Sequence, residues 1–162
     1  MPFRRSFLFL VGLFSLGGVV LAVYLQELLH LMPCKFCIIQ RYAYLGFGVF
    51  ALLASFIPRM REIWSRLCSF TAFSFTLVGL WAVYGNLIAL FNKDVQCGRD
   101  LTEELLNDLW AAKEWPYLFQ VTGFCGDPTP PLLGMPMPVW SLIALVVFAT
   151  ILFLSLFPGR RY

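Results

Sequence analysis

The run Leu67–Phe91, LCSFTAFSFTLVGLWAVYGNLIALF, contains no Asp, Glu, Lys or Arg. It exceeds the roughly 20 helical residues needed to cross the hydrocarbon core of a bilayer. Three more runs pass the same test on either side of it: Phe7–Leu28, Ile38–Ile57 and Val139–Phe157. Composition agrees, since 60% of the 162 residues are hydrophobic and 13% are charged, against about 45–50% and about 25% in soluble domains. The expected architecture is an all-α membrane protein, an antiparallel four-helix transmembrane bundle forming a single membrane domain over 1–162. Its spans are 7–28, 38–57, 67–91 and 139–157, and its outer loops are 29–37 and 92–138. Arg4 and Arg5 precede the first run as they would in a signal peptide. That run is longer than the roughly 7–15 residues of a signal h-region and lacks a small-x-small cleavage site, so it reads as a retained helix.

Basic residues in short connections are held on the cytoplasmic side. Arg4, Arg5, Arg59, Arg61, Arg66, Arg160 and Arg161 fall on one side of the spans, whereas Lys35, Lys93, Arg99 and Lys113 share the other with most of the acids. Both termini are therefore expected in the cytoplasm. The net charge of +3 is spread over three cytoplasmic segments, which makes it a topology signal and not a nucleic-acid footprint.

This orientation sorts the five cysteines. Cys68 faces the cytosol, while Cys34, Cys37, Cys97 and Cys125 face the oxidising side, where disulfide chemistry belongs. A zinc site usually takes two close pairs, and the chain has a single C-x2-C, so no metal is expected. A structural disulfide accounts for Cys97 and Cys125, because closing a loop of that length contributes roughly 3–4 kcal/mol in the chain-entropy picture. It does not account for Cys34-Lys35-Phe36-Cys37-Ile38-Ile39-Gln40-Arg41, CKFCIIQR. A C-x2-C ring constrains little, and such pairs exchange readily at lowered thiol pKa. A helix beginning near Cys37 would put its thiolate at the positive end of the macrodipole, with Arg41 at i+4 on the same face. An arginine one turn inside the non-cytoplasmic end is costly enough to point to a role, although interfacial snorkelling is the plain alternative.

Oxidising thiols releases two electrons and two protons. The chain has no C-x-x-C-H haem motif and no dinucleotide-binding glycine pattern. A quinone dissolved in the bilayer is the expected acceptor, with Arg41 hydrogen-bonding a ring carbonyl. The chief alternative is a non-catalytic tetraspan scaffold with structural disulfides.

Taken together, the four-span layout, CKFCIIQR, the second pair Cys97 and Cys125, and MPMPVW over Met135–Trp140 resemble the DsbB family of quinone-dependent disulfide bond formation proteins. That resemblance implies an enzyme of the bacterial inner membrane that reoxidises a periplasmic DsbA-like thioredoxin-fold protein and reduces ubiquinone or menaquinone. It further implies that the partner attacks a Cys97–Cys125 disulfide at Cys97. Cys125 then exchanges with Cys34, and Cys37 is released as the thiolate that engages the quinone. By the same resemblance Arg41 is the quinone-site arginine. Family members often carry a histidine near the outer end of the third helix; the matching position here is Asn86, which donates a hydrogen bond but does not titrate near neutral pH.

The outer segment DLTEELLNDLWAAKEWPYLF has Leu101, Leu105, Leu106, Leu109 and Trp110 at helical spacing and is expected to form a short amphipathic helix, on the membrane surface or on the bundle. His30 reads as an interfacial polar residue or a proton donor, and Glu27 as a snorkelling one. Cys68 reads as a packed thiol. Gly17, Gly18, Gly46 and Gly48 are expected to let helices approach closely.

Overall fold

The computed structural model describes residues 2–56, 62–92, 101–124, 131 and 133–156. Its elements in chain order are α1 (Pro2–Leu28), α2 (Lys35–Phe56), α3 (Glu62–Phe91), α4 (Leu101–Asp108), α5 (Trp110–Glu114), α6 (Pro116–Phe119) and α7 (Met137–Leu156). No strand occurs among the described residues. Ser6–Leu28, Lys35–Phe56 and Ile63–Phe91 are long and apolar enough to cross a membrane, and Met137–Phe153 is a shorter apolar helix. Their outward faces are apolar too, with Phe14 75% and Val20 70% exposed, as suits side chains that meet lipid.

The ends of these helices follow local chemistry. Beyond α1, Leu31 N bonds to Gln26 O at 2.9 Å and His30 N to Glu27 O at 3.3 Å, the paired bonds of a Schellman cap. His30 holds the left-handed position of that cap, with φ 49°. The cap turns the chain directly towards Cys34. Pro138 sits in the first turn of α7, where the amide it lacks has no intrahelical partner to lose.

α1 packs on α2, α2 on α3, and α3 on α7. α1 and α2 are antiparallel: an added Cβ at Gly12 would meet Leu52, and one at Gly48 would meet Leu16. α3 runs against α2 in the same way, since Ser65 Oγ donates to Ala54 O whereas Phe36 meets Trp81 edge-on at 6.0 Å. α7 runs alongside α2, Tyr44 reaching Ser141 and Phe47 stacking on Phe148 at 4.7 Å. Leu8, Val11, Phe47, Ala51, Ala54, Ala72 and Leu152 form a buried apolar cluster. Hydroxyls inside the packing are satisfied by helix carbonyls: Ser69 Oγ bonds to Ser65 O at 2.9 Å and Thr76 Oγ1 to Ala72 O at 3.0 Å. Back-bonding of this kind removes the penalty of an unpaired polar group.

Of the glycines expected at helix contacts, Gly46 lies against the Phe75 ring and Gly48 against Leu16. Gly17 and Gly18 do not share that role; nothing lies within 4 Å of the Cβ either would carry. They occupy a face of α1 that no other helix among the described residues covers. The expected outer amphipathic helix is divided into α4, α5 and α6. Trp115 has φ −127° and ψ 68°, because a residue before proline is pushed out of the helical region, and Pro116 then opens α6. Asp100, with which this segment begins, lies outside the described residues.

Candidate active site

α2 begins inside the CKFC motif. Cys34 O accepts from Ile38 N at 3.1 Å, placing Cys34 at the helix entrance and Cys37 in the first turn among amides that have no intrahelical partner. The two sulfurs are 3.1 Å apart, too far for a bond of about 2.05 Å and near enough to form one with a small side-chain rotation. Cys34 is buried and Cys37 partly exposed.

Asn86 on α3 is 8% exposed, and its Nδ2 donates to Cys37 Sγ at 3.6 Å. Gly85 makes this approach possible: a Cβ there would sit 2.6 Å from the Phe36 ring, so α3 can lie this close to the motif only where a side chain is missing. Lys35 is also buried, its ammonium 5.6 Å from the Phe36 ring centroid.

Arg41 is 7% exposed. It donates to Leu118 O at 2.7 Å and to Gln26 Oε1. The guanidinium therefore ties together α1, α2 and α6, from a residue one helical turn beyond Cys37. Nearby, Phe119 stacks on Tyr42 at 4.7 Å, and the Tyr117 hydroxyl donates to Glu27. That bond, with some desolvation, raises the Tyr117 pKa. Thr122 N and Gly123 N bond to Pro33 O at 3.1 and 3.0 Å. Val121 N bonds to Asn107 Oδ1 at 2.8 Å, which fixes α4 against the same segment. The chain leading to Cys125 is thus fastened beside the residue preceding Cys34.

A second polar group lies between α2 and α7. The Tyr44 hydroxyl donates to Ser141, 3.1 Å from its carbonyl oxygen and 3.0 Å from its Oγ, and Ser141 Oγ donates to Gln40 Oε1 at 2.9 Å.

Of the residues singled out in the sequence, Cys34, Cys37, Arg41 and Asn86 lie in one region. Cys97 and Cys125 lie outside the described residues. His30 serves as the cap of α1, and Glu27 receives the Tyr117 hydroxyl. Cys68 lies on α3, far along the chain from Asn86. The sequence reading did not single out Gln26, Gln40 and Ser141, although a polar side chain inside an apolar run is itself a signal. The carbonyl of Leu118 carries no such signal.

The arrangement is suited to thiol exchange. A helix N-terminus, an amide donor and a guanidinium all favour the thiolate of Cys37, the form that attacks disulfides.

Residues 4–155 match the family described as "Disulfide bond formation protein DsbB". "Disulfide bond formation protein B 1" of Pseudomonas putida is 39% identical, with 98% of this chain and 93% of that protein covered. "Disulfide bond formation protein B" of Cupriavidus metallidurans is 38% identical, covering 98% of this chain and 96% of its own length. Its namesake in Ralstonia nicotianae is 36% identical, over 97% and 96%. With the thiol pair at the start of an apolar helix and a family match over nearly its whole length, this multi-pass membrane chain belongs to the DsbB family of disulfide bond formation proteins.

Proposed function

We propose that the protein is a thiol oxidase of the bacterial inner membrane, a four-helix transmembrane bundle with both termini in the cytoplasm. It reoxidises a periplasmic DsbA-like thioredoxin-fold partner and passes the electrons to ubiquinone or menaquinone. The single observation that carries this reading is the convergence on Cys37 of Cys34 Sγ at 3.1 Å and Asn86 Nδ2 at 3.6 Å, with Arg41 on the same face.

The partner thiolate attacks Cys97 of a Cys97–Cys125 disulfide, and Cys125 leaves as thiolate. Cys125 then attacks Cys34 of a Cys34–Cys37 disulfide, and Cys37 leaves. The partner's second thiol resolves the mixed disulfide and releases Cys97, whose thiolate attacks Cys125, re-forms Cys97–Cys125 and frees Cys34. Each exchange forms one S–S bond as it breaks another, so none changes the overall oxidation state; the two electrons leave when Cys34 and Cys37 rejoin. The helix N-terminus, Asn86 and Arg41 hold the charge on Cys37. Fastening Gly123 at Pro33 keeps the segment before Cys125 next to Cys34. When bound, the quinone supplies the oxidant, taking two electrons and two protons and becoming quinol. Arg41 and Asn86 would bind its carbonyl oxygens and orient it towards Cys37.

The test follows quinone reduction by ultraviolet absorbance when the purified protein receives a reduced thioredoxin-fold substrate. Turnover with the wild type and its loss in Cys37→Ser is the expected result. A folded wild type that reduces neither quinone with several such substrates would leave a disulfide-locked scaffold as the better reading.

A further inference from the structure

We propose that Gln40 is a further quinone-binding residue, its side-chain amide donating a hydrogen bond to a ring carbonyl oxygen. This inference rests on the thiol-to-quinone reading above and extends it to a residue that neither the thiol motif nor Arg41 accounts for.

Gln40 is 8% exposed, and its Nε2 is buried without a hydrogen-bond partner among the described residues. A buried amide donor left unpaired costs about 1–3 kcal/mol, so each such group calls for an explanation. Tyr44 donates to Ser141 O at 3.1 Å, and Ser141 Oγ donates to Gln40 Oε1 at 2.9 Å. With the oxygen end on α7, the NH2 end is turned away from it and has no acceptor among the described residues.

Its position says what the donor would meet. Gln40 follows Cys37 by three residues and precedes Arg41, so Cys37 and Gln40 share a helix face with Cβ atoms about 5–6 Å apart. Asn86 reaches Cys37 from α3, and Ser141 holds Gln40 from α7. Gln40 and Arg41 thus flank the Cys37 position on α2, and Asn86 reaches the same sulfur from α3. A quinone ring carries two carbonyl oxygens and no donor of its own, a complement to unpaired N–H groups. A para-quinone bound against Cys37 would present one oxygen towards Arg41 and Asn86 and leave the other for Gln40. A hydrogen bond to a buried neutral acceptor also strengthens as charge develops on that oxygen during reduction.

The experiment uses the full-length wild-type chain in detergent micelles with selectively 15N-labelled glutamine and asparagine. A short-chain ubiquinone is titrated in, with short-chain menaquinone in a parallel series. The Gln40 side-chain amide signals are expected to shift with the same midpoint as those of Asn86. Gln40→Met keeps the length of the side chain and removes the donor. It is expected to raise the KM for quinone about fivefold, the worth of one net hydrogen bond, and to lower kcat by a smaller factor. Asn86 signals that move while those of Gln40 stay fixed would overturn the proposal and leave the quinone reading standing. So would a Gln40→Met protein that folds and keeps the wild-type KM. A wild type in which neither set of signals moves and no quinone is reduced would instead remove the reading on which the proposal rests. The titration needs no variant and decides the matter even where Gln40→Met fails to fold.

Discussion

Cys37 shows how little local sequence is needed to make a thiol reactive and how much tertiary structure is needed to hold it. The C-x2-C spacing and the following Arg41 are local, so both were legible before any fold was known. The N–H···S bond from Asn86 at 3.6 Å joins residues 49 positions apart and depends on Gly85 admitting the Phe36 ring. Replacing Asn86 with leucine removes the donor while keeping similar bulk. Alkylation of Cys37 by a maleimide at fixed neutral pH is expected to slow about threefold to tenfold, in line with losing one modest hydrogen bond to a charged acceptor. The rate would be read in a background where Cys34 is serine, and an unchanged rate would show that the helix terminus and Arg41 suffice. Gln26 was less legible. Its role as an acceptor for Arg41 arises because the Schellman cap at His30 brings the end of α1 back over the motif, and no residue-by-residue reading carries that information.

Among the described elements, α6 is the smallest; it is held by Arg41 on Leu118 and by Tyr117 on Glu27, and the segment after it by the amides of Thr122 and Gly123 on Pro33. Gly123 is where this fastening has the least room, since a Cβ there would lie 2.2 Å from Met32 O. Backbone cannot yield as a side-chain tip can. Gly123→Ala is therefore expected to break the bonds of Thr122 and Gly123 to Pro33, read as faster hydrogen exchange at both amides. α4 and α5 offer a contrasting, solvent-exposed contact. Lys113 Nζ lies 2.6 Å from Asp108 Oδ1, and its hydrogen bond and charge lower the Asp108 pKa from the ordinary carboxylate value. A depressed folded-state pKa means that the pair favours the folded arrangement above the ordinary carboxylate pKa, and that the contribution is lost as pH falls through the depressed value. An NMR titration is expected to show Asp108 protonating below the ordinary range, and Lys113→Ala to return it there. Exposure keeps the effect on stability small and salt-sensitive. The helical spacing of this segment was visible in its leucines and Trp110. Its division at Trp115 is set by Pro116, a local constraint that outweighs the helical spacing of the apolar residues.

Across the whole molecule, apolar packing and polar chemistry are separated along the helix axes. The cluster from Leu8 to Leu152 fills one end, and Gln26, the CKFCIIQR residues, Asn86 and Ser141 gather at the other. Because the same helices run through both, their spacing in the apolar half sets the distances at the thiols. Gly12 and Gly48 set that spacing for α1 and α2: a Cβ on Gly48 would lie 2.7 Å from Leu16 Cδ2 and 3.2 Å from Gly12 O. In lipid, where the hydrophobic effect gives helices little reason to associate, such close packing supplies much of the attraction. Gly48→Val is therefore expected to destabilise the protein by about 1–3 kcal/mol, as overpacking does. By prising α1 from α2 it is also expected to separate Gln26 from Arg41. Gly17→Ala is the matched control, because nothing lies within 4 Å of the added methyl. There the gain in helix propensity is expected to stabilise by about 0.5–1 kcal/mol. Unfolding in mixed micelles against a denaturing detergent measures both. Opposite signs at two glycines of neighbouring helices would separate packing from propensity, and equal losses at both would mean that α1 meets a partner on the face that the described residues leave open.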